Sequence, residues 1–413
     1  MEAKAHPLFR GTLAPMAVPD YRRLLIGNAL WWQANWMEQV AVGWLVLELT
    51  DSAWQVALVG FYRSAPLLLF GFMAGLVTER FNRRVVILSA QMLYLSVFCA
   101  FAMLLWTGHL AFWHIAVGEF LLGIGWAQDW PARRSLLPDL VGRSRIVDGM
   151  MVENFAANAT RVLGPFTGGV LIAALGVFGC FLVILGVHCL GFFFLMRLSP
   201  RPQARRAGAA SPWANVIEGL RYVRGNQPIL GVLLITVLMN ALMFPYQTLL
   251  PVFARDILKQ GPVGLGVLGA SNGVGSFCGI LLVNWLKRFR HSGVVFAGGS
   301  LFQSAVMIAF AASRSFPLSV ALLIASGVGQ AAFGVMQSSI VLMSSNDEMR
   351  DRALGALVVA IGGGPLGRLQ IGALSAAWGV PMAVGVSCTV SVLSIAGVTA
   401  MLPGFRARDQ ARA

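Results

Sequence analysis

The chain is 413 residues long, 57% hydrophobic and only 12% charged, with a mean hydropathy of +0.73, whereas a soluble domain carries about 25% charged residues. That composition excludes a water-soluble globular domain and reads as an integral membrane protein. The formal charge of +14 would suit a nucleic-acid partner if the basic residues formed one patch; they are instead spread along the chain, so no nucleic-acid partner is expected.

Apolar stretches of about 20 residues, each able to cross roughly 30 Å of hydrocarbon, fall in chain order near 22–48, 53–77, 85–107, 110–128, 150–173 and 176–196. Six more fall near 229–253, 264–286, 293–313, 316–340, 354–377 and 380–402. The predicted fold class is therefore all-α, a polytopic membrane protein with twelve transmembrane helices. The N-terminal stretch has no short apolar core followed by a small-residue cleavage site, so the first helix itself is expected to direct insertion. Of the 31 Lys and Arg, 25 fall in the termini and in alternate loops, after the second, fourth, sixth, eighth and tenth segments. Three fall in the other loops (Arg255, Lys259, Arg314) and three inside segments (Arg63, Arg161, Arg368). By the positive-inside rule both termini are expected on the cytoplasmic side.

The interruption at 197–228 divides the chain into halves of six helices. Its first part, rich in Pro, Arg and Ala, reads as a flexible linker. Its second has a cap at Ser211, Pro212 at the first helical position, and Trp213, Val216, Ile217, Leu220 and Val223 on one face. That pattern predicts an amphipathic helix, either at the membrane surface or packed on the ends of the spanning helices. The expected division is a tail of 1–21, a bundle over 22–196, the linker over 197–228, a second bundle over 229–402 and a tail of 403–413. The halves are weakly repeated: "LVGFYRSAP" after the first segment matches "LGASNGVG" after the seventh, so that Arg63 faces Asn272, and "LGPFTGG" matches "GGPLGR", so that Gly168 faces Arg368. The scaffold repeats, and the charges do not. Five scattered cysteines and five scattered histidines predict no disulfide framework, no metal site and no cofactor.

An ionised side chain at mid-membrane is costly unless paired or wetted, which makes each one a functional candidate. Glu38, Arg63, Glu119 and Arg161 lie in the first half, and Arg368 in the second. On helical spacing Glu38 shares a stripe with Trp31, Ala34, Asn35 and Leu45, and Arg161 shares one with Asn154, Asn158, Gly164 and Gly168. The second half offers amides instead: Asn240, Gln247, Asn272, Gln330 and Gln337. Glu38 has three readings: a permanent ion pair with Arg63 or Arg161, a proton carrier, or a direct substrate contact. Burial favours the neutral carboxyl and a nearby arginine the ionised one, so a site alternately dry and wet would bind and release a proton. Glu119 has the same first two readings. Trp31 and Trp36, like Phe244 and Phe333, are either packing residues or a surface for an aromatic cargo.

"GLVTERFNRR" (Gly75 to Arg84) resembles the loop signature of the major facilitator superfamily, Gly-x-Leu-Ala-Asp-Arg-x-Gly-Arg-Arg/Lys, with Glu79 in place of the Asp and Asn82 in place of the second Gly. "ARRSLLPDLV", "NATRVLGPFTGG", "FPYQTLLPVFARDIL" and "GGGPLGRL" are similar to the drug:proton antiporter branch that contains enterobactin and macrolide exporters. The resemblance covers nearly the whole chain. It implies two six-helix pseudo-repeats and a central cavity lined by helices 1, 2, 4, 5, 7, 8, 10 and 11, on which all five intramembrane charges fall. It also implies a cytoplasmic gate built from Gly75, Glu79, Arg80, Arg83 and Arg84. Gly164, Pro165, Gly168 and Gly169 resemble the antiporter motif of helix 5, where small residues permit close helix approach and bending. The expected protein is a non-enzymatic transporter of the bacterial inner membrane, a monomer in contact with lipid. It would export an amphipathic organic molecule, drug- or siderophore-like, by proton antiport with alternating access. The alternatives are a lipid or lysolipid translocator of the same fold and a non-transporting receptor or assembly factor.

Overall fold

The computed structural model describes residues 11–70, 81–199, 218–219, 221–286, 291–346 and 349–406. After a 3-10 turn at Gly11–Ala17 come α1 (Pro19–Thr50), α2 (Ala53–Phe70), α3 (Arg83–Trp106), α4 (Phe112–Val141) and α5 (Ile146–Met196). Then follow α6 (Gln227–Ile257), α7 (Pro262–Leu286), α8 (Ser292–Ala312), α9 (Phe316–Ser344), α10 (Arg350–Ile361), α11 (Gly364–Trp378) and α12 (Val380–Met401). Among the described residues there is no strand.

Nine helical runs among the described residues are long and apolar enough to cross a membrane. The 51-residue α5 is one of these, and it is broken at Gly176, whose φ of 70° and ψ of 176° end one helix and start another. A residue with a Cβ adopts that φ only under strain, which is why glycine stands there. α1 and α4, at 32 and 30 residues, are long enough to span but too polar for that set. They carry Asn28, Gln33, Asn35, Glu38 and Gln39, and Glu119, Gln128, Asp129 and Arg133, respectively. The fourth apolar segment was expected to end at 128, yet α4 runs on to Val141. Arg133 and Arg134 are thus helical rather than in a loop. An ion pair four residues apart on one helix face lets charged residues continue a buried helix where hydropathy falls.

The outer surface is apolar: Trp106, Phe155, Leu281, Leu393 and Met401 are each more than 65% exposed. Apolar patches on this scale mark contact with something other than water.

The chain divides into two compact units, Met1–Leu45 with Tyr62–Ala207 and Val46–Phe61 with Gly208–Ala413. In the first, the starts of α1 and α3 and the ends of α4 and α5 bury Tyr21, Leu24, Ile87, Leu137, Leu140 and Leu195. Asn82 caps α3 by accepting from the Arg84 N–H at 2.9 Å. α5 lies hard against α1, because a methyl group on Gly164 would sit 2.4 Å from Trp36 Cβ.

In the second unit α7 and α9 cross at backbone contact: a Cβ at Gly327 would come within 2.2 Å of the Asn272 carbonyl oxygen. α6 is irregular, with π turns at Met239–Met243 and Phe253–Ile257 around a 3-10 stretch at Phe244–Leu249 that holds Pro245. Such turns inside spanning helices gather at functional sites. The tip joining α1 to α2 packs here too. Arg255 donates to the Leu47 carbonyl at 3.0 Å and pairs with Asp51, which adopts φ 48°. Its Nε donates to Asp256 at 2.6 Å, so one guanidinium holds two carboxylates at the end of α6.

Candidate functional site

The two units differ in what they bury. Among the described residues every buried ionisable side chain except cysteine and tyrosine belongs to the first unit: Asp20, Glu38, Glu119, Asp129, Arg133 and His188. The buried polar side chains of the second unit are neutral, among them Thr236, Asn272, Gln303, Ser304 and Gln337.

The ionic site is built on α1, α2 and α4. Arg63, on α2, donates from Nε to Glu38 Oε1 at 3.0 Å and from Nη2 to Asn35 Oδ1 at 2.7 Å. The same Nε lies 3.5 Å from Glu119 Oε2. Both carboxylates are 4% exposed at the side chain and Arg63 is 18% exposed. The stripe Asn35–Glu38 of α1 thus meets α2 and α4 at one guanidinium. Two carboxyl groups share a single cation, so with both ionised the cluster carries a net charge of −1, and one proton makes it neutral.

A second buried cluster sits further along the same helices. Arg133 Nε donates to Asp129 Oδ1 at 2.7 Å, and its Nη1 to Asn28 Oδ1 at 2.8 Å. Asn28 Nδ2 in turn donates to Glu153 Oε1 at 3.1 Å, and the Arg133 guanidinium lies 5.0 Å from the centre of the Trp31 ring. Between α3 and the far arm of α5, Gln91 Oε1 and His188 Nδ1 are 3.2 Å apart, with Phe98 stacked on the imidazole. Asn28, Asp129, Arg133, Glu153, Gln91 and His188 were not among the sequence-derived candidates. Two signals for them existed. Asn28, Trp31, Asn35 and Glu38 are spaced three, four and three residues apart, and Asp129 and Arg133 are an i, i+4 pair.

The remaining candidates are dispersed. Trp31 is buried against Arg133 and Trp32, at 4.6 Å from the latter's ring centre. The Arg161 guanidinium lies 5.7 Å from the centre of the Trp36 ring, while Glu38 is bonded to Arg63. Asn158 donates back to the Asn154 carbonyl of its own helix. Gly168 packs on Met37, and Pro165 and Gly169 are buried beside it. Arg83 donates to the Ser135 carbonyl and pairs with Asp139, and Arg84 donates to the Met196 carbonyl at 2.6 Å, so both tie helix ends within the first unit. Gly75, Glu79 and Arg80 lie outside the described residues, as do Ser211, Pro212, Trp213, Val216, Ile217 and Leu220 of the expected amphipathic helix.

In the second unit Asn240 Oδ1 and Arg368 Nη1 both approach Gly364. Gln337 donates to Thr236 at 2.8 Å, Gln330 accepts from Gln303 at 3.4 Å, and Asn272 is buried at the α7–α9 crossing. Gln247 is half-buried in the 3-10 stretch of α6, and Phe244 and Phe333 meet edge to face at 5.2 Å. Among the described residues no group of His, Cys, Asp and Glu is arranged to hold a metal.

A helical chain with nine membrane-length apolar runs among its described residues has the architecture of a multi-pass membrane protein. Residues 10–413 match the family model described as transmembrane secretion effector, and the chain belongs to that family of the major facilitator superfamily. It is 24% identical over 393 residues to the multidrug efflux pump Tap of Mycolicibacterium fortuitum, covering 91% of this chain and 94% of the relative. The staphyloferrin A transporter of Staphylococcus aureus is 24% identical over 272 residues, 63% of this chain and 65% of its own. Macrolide efflux protein A of Streptococcus pyogenes is 20% identical over 260 residues, 61% and 63%. Among solved structures, a mutant of the nucleoside transporter NupG matches with a TM-score of 0.77 at 12% identity, over 92% of this chain and 99% of the other. A bacterial homologue of the human lysosomal transporter Spinster matches at 0.69 and 15% identity, over 94% and 96%. At those identities the structural likeness is one of fold. The chain is a multi-pass membrane transporter of the major facilitator superfamily and not an enzyme.

Proposed function

We propose that this chain is a twelve-helix exporter of an amphipathic organic molecule, driven by proton antiport through alternating access. Twelve crossings follow when α5 is counted as two helices at Gly176 and the polar α1 and α4 are added to the apolar runs. The relatives' names, a multidrug pump, a siderophore transporter and a macrolide efflux protein, support export. The loop charge asymmetry supports a bacterial inner-membrane protein with both termini cytoplasmic, its halves at 22–196 and 229–402 joined by a cytoplasmic linker.

The observation that carries the coupling is the sharing of Arg63 by Glu38 and Glu119. Glu38, at 3.0 Å, is the constant counter-ion. Glu119, at 3.5 Å and with Oε1 lacking any hydrogen-bond partner, is the carboxyl free to carry a proton. When the site is dry, the low dielectric favours the neutral cluster with Glu119 protonated; when water enters, the extra charge is solvated and the proton leaves. Coupling requires that cargo and proton bind in alternation, and Trp36 with Arg161 is the pair the first unit offers to a cargo.

The test is reconstitution of the full chain into liposomes containing a trapped pH dye, challenged in turn with ethidium, erythromycin and staphyloferrin A. Antiport predicts proton movement that starts on cargo addition and scales with its concentration. Cargo flux without proton movement would make the protein a facilitator. No flux of any of the three, with lipid transfer instead, would make it a lipid translocator.

A further inference from the structure

Several buried polar atoms of the first unit lack a hydrogen-bond partner, and six of them gather in one region: Glu119 Oε1, Tyr94 Oη, Asp129 Oδ2, Arg133 Nη2, Gln91 Nε2 and His188 Nε2. Tyr94, 2% exposed, is faced by Arg63 of α2, by Asp129 and Arg133 of α4 and by Trp31 of α1. Its ring lies 5.5 Å from that of His188, which itself meets Gln91. The phenol rests on Gly125, where a Cβ would lie 2.6 Å from its Cε1 and 3.2 Å from its Oη. Gly125 stands between Glu119 and Asp129 on α4, so the hydroxyl sits between the two ionic clusters. Native interiors leave few such atoms unsatisfied, and groups of them are commonly satisfied by buried water, which needs two to four polar partners.

We propose that Tyr94 is the centre of a hydrated proton relay inside the first unit, joining the Glu38–Arg63–Glu119 cluster to the Asp129–Arg133 pair. The inference rests on the antiport reading above and names the path the proton takes. In the release direction, protonated Glu119 gives its proton to a water at Oε1. That water passes a proton to Tyr94 Oη as Tyr94 gives its own hydroxyl proton to a second water, which in turn gives one to Asp129 Oδ2. Only O–H bonds form and break. Glu119 is left ionised against Arg63, Tyr94 is left neutral, and the proton rests on Asp129, while Arg133 keeps its bond to Asn28, which links it to Glu153. Tyr94 is a relay residue and not a cargo contact: it is walled in by the helices of its own unit. Gln91 and His188 complete the wall and orient the water from the α3 and α5 sides.

The experiment compares wild type, Tyr94→Phe, Gly125→Ala and Glu119→Gln in proteoliposomes with ethidium. Each is measured twice, for ethidium exchange at equal pH and for uptake driven by a pH gradient, and thermal unfolding is followed on the same preparations. The phenylalanine keeps the ring packing and removes the hydroxyl; the alanine methyl displaces the ring and removes no ionisable group. The relay predicts that the ratio of proton-driven flux to exchange falls at least tenfold in Tyr94→Phe and also falls in Gly125→Ala. A structural role alone would lower both fluxes together with the unfolding temperature and leave their ratio unchanged, which would overturn the relay. Wild-type coupling in Tyr94→Phe beside lost coupling in Glu119→Gln would overturn the relay and leave the antiport reading standing. A wild type that moves ethidium without protons would overturn both.

Discussion

Arg63 donates to Glu38 across the α1–α2 contact at 3.0 Å, with both side chains largely removed from solvent. The pair belongs to a larger cluster, because the same nitrogen also faces Glu119. The cluster therefore has one carboxylate more than it has cations. Neutralising either carboxyl should have different consequences.

Glu38→Gln removes the closer counter-ion and leaves Arg63 to Glu119 alone. Breaking a buried pair costs about 3–5 kcal/mol when the remaining charge has no other partner. With Glu119 still present the expected loss is smaller, about 1–3 kcal/mol on the same scale. Thermal unfolding in detergent checks this, and Glu119→Gln, which preserves the one-to-one pair, should be the more stable of the two.

Arg133→Ala strips Asp129 of its cation in a site where Arg133 is 2% exposed and Asp129 fully buried. The expected penalty is about 3–5 kcal/mol, read as loss of monodisperse protein after a heat step. The double variant Asp129→Asn with Arg133→Met should recover much of it, since no lone charge is then left inside. If the double variant is worse than the single, the pair is not the source of the cost.

Gly164→Ala places a methyl 2.4 Å from Trp36 Cβ and must push α5 off α1, whereas a methyl on Gly186 would have nothing within 4 Å. Overpacking of this kind costs about 1–3 kcal/mol. Gly186→Ala should be neutral or slightly stabilising, because alanine is the better helix former by up to about 1 kcal/mol. Equal unfolding temperatures for the two variants would contradict the close α1–α5 contact.

These contacts also show what could be read from the chain alone. The helices were legible because hydrophobic length is a local property, and Glu38 and Glu119 were legible because a carboxylate stands out in an apolar run. The choice between Arg63 and Arg161 as partner for Glu38 was not, since it depends on how α2 and α5 are rotated against α1. Asp129 and Arg133 were missed for a related reason. Each lowers hydropathy by itself and so suggests a helix end, yet as a pair one turn apart they let α4 continue buried to Val141. Asn28 was recoverable by carrying the Glu38 stripe further toward the N-terminus.

Topology gives a test independent of the ion clusters. In a background with the five native cysteines replaced, Ser315→Cys between α8 and α9 should react with a membrane-impermeant maleimide added outside intact cells. Ser199→Cys, just past α5, should react only after permeabilisation. The reverse pattern would invert the orientation inferred from the basic loops.

The most direct test of the account is proton counting in Glu119→Gln. In liposomes with a trapped pH dye, wild type should move protons when ethidium or erythromycin is added. The variant should fold with an unchanged unfolding temperature and exchange the same cargo, with no accompanying proton movement. Cargo-driven proton movement equal to wild type in that variant would contradict the assignment of the coupled proton to the carboxyl that shares Arg63 with Glu38.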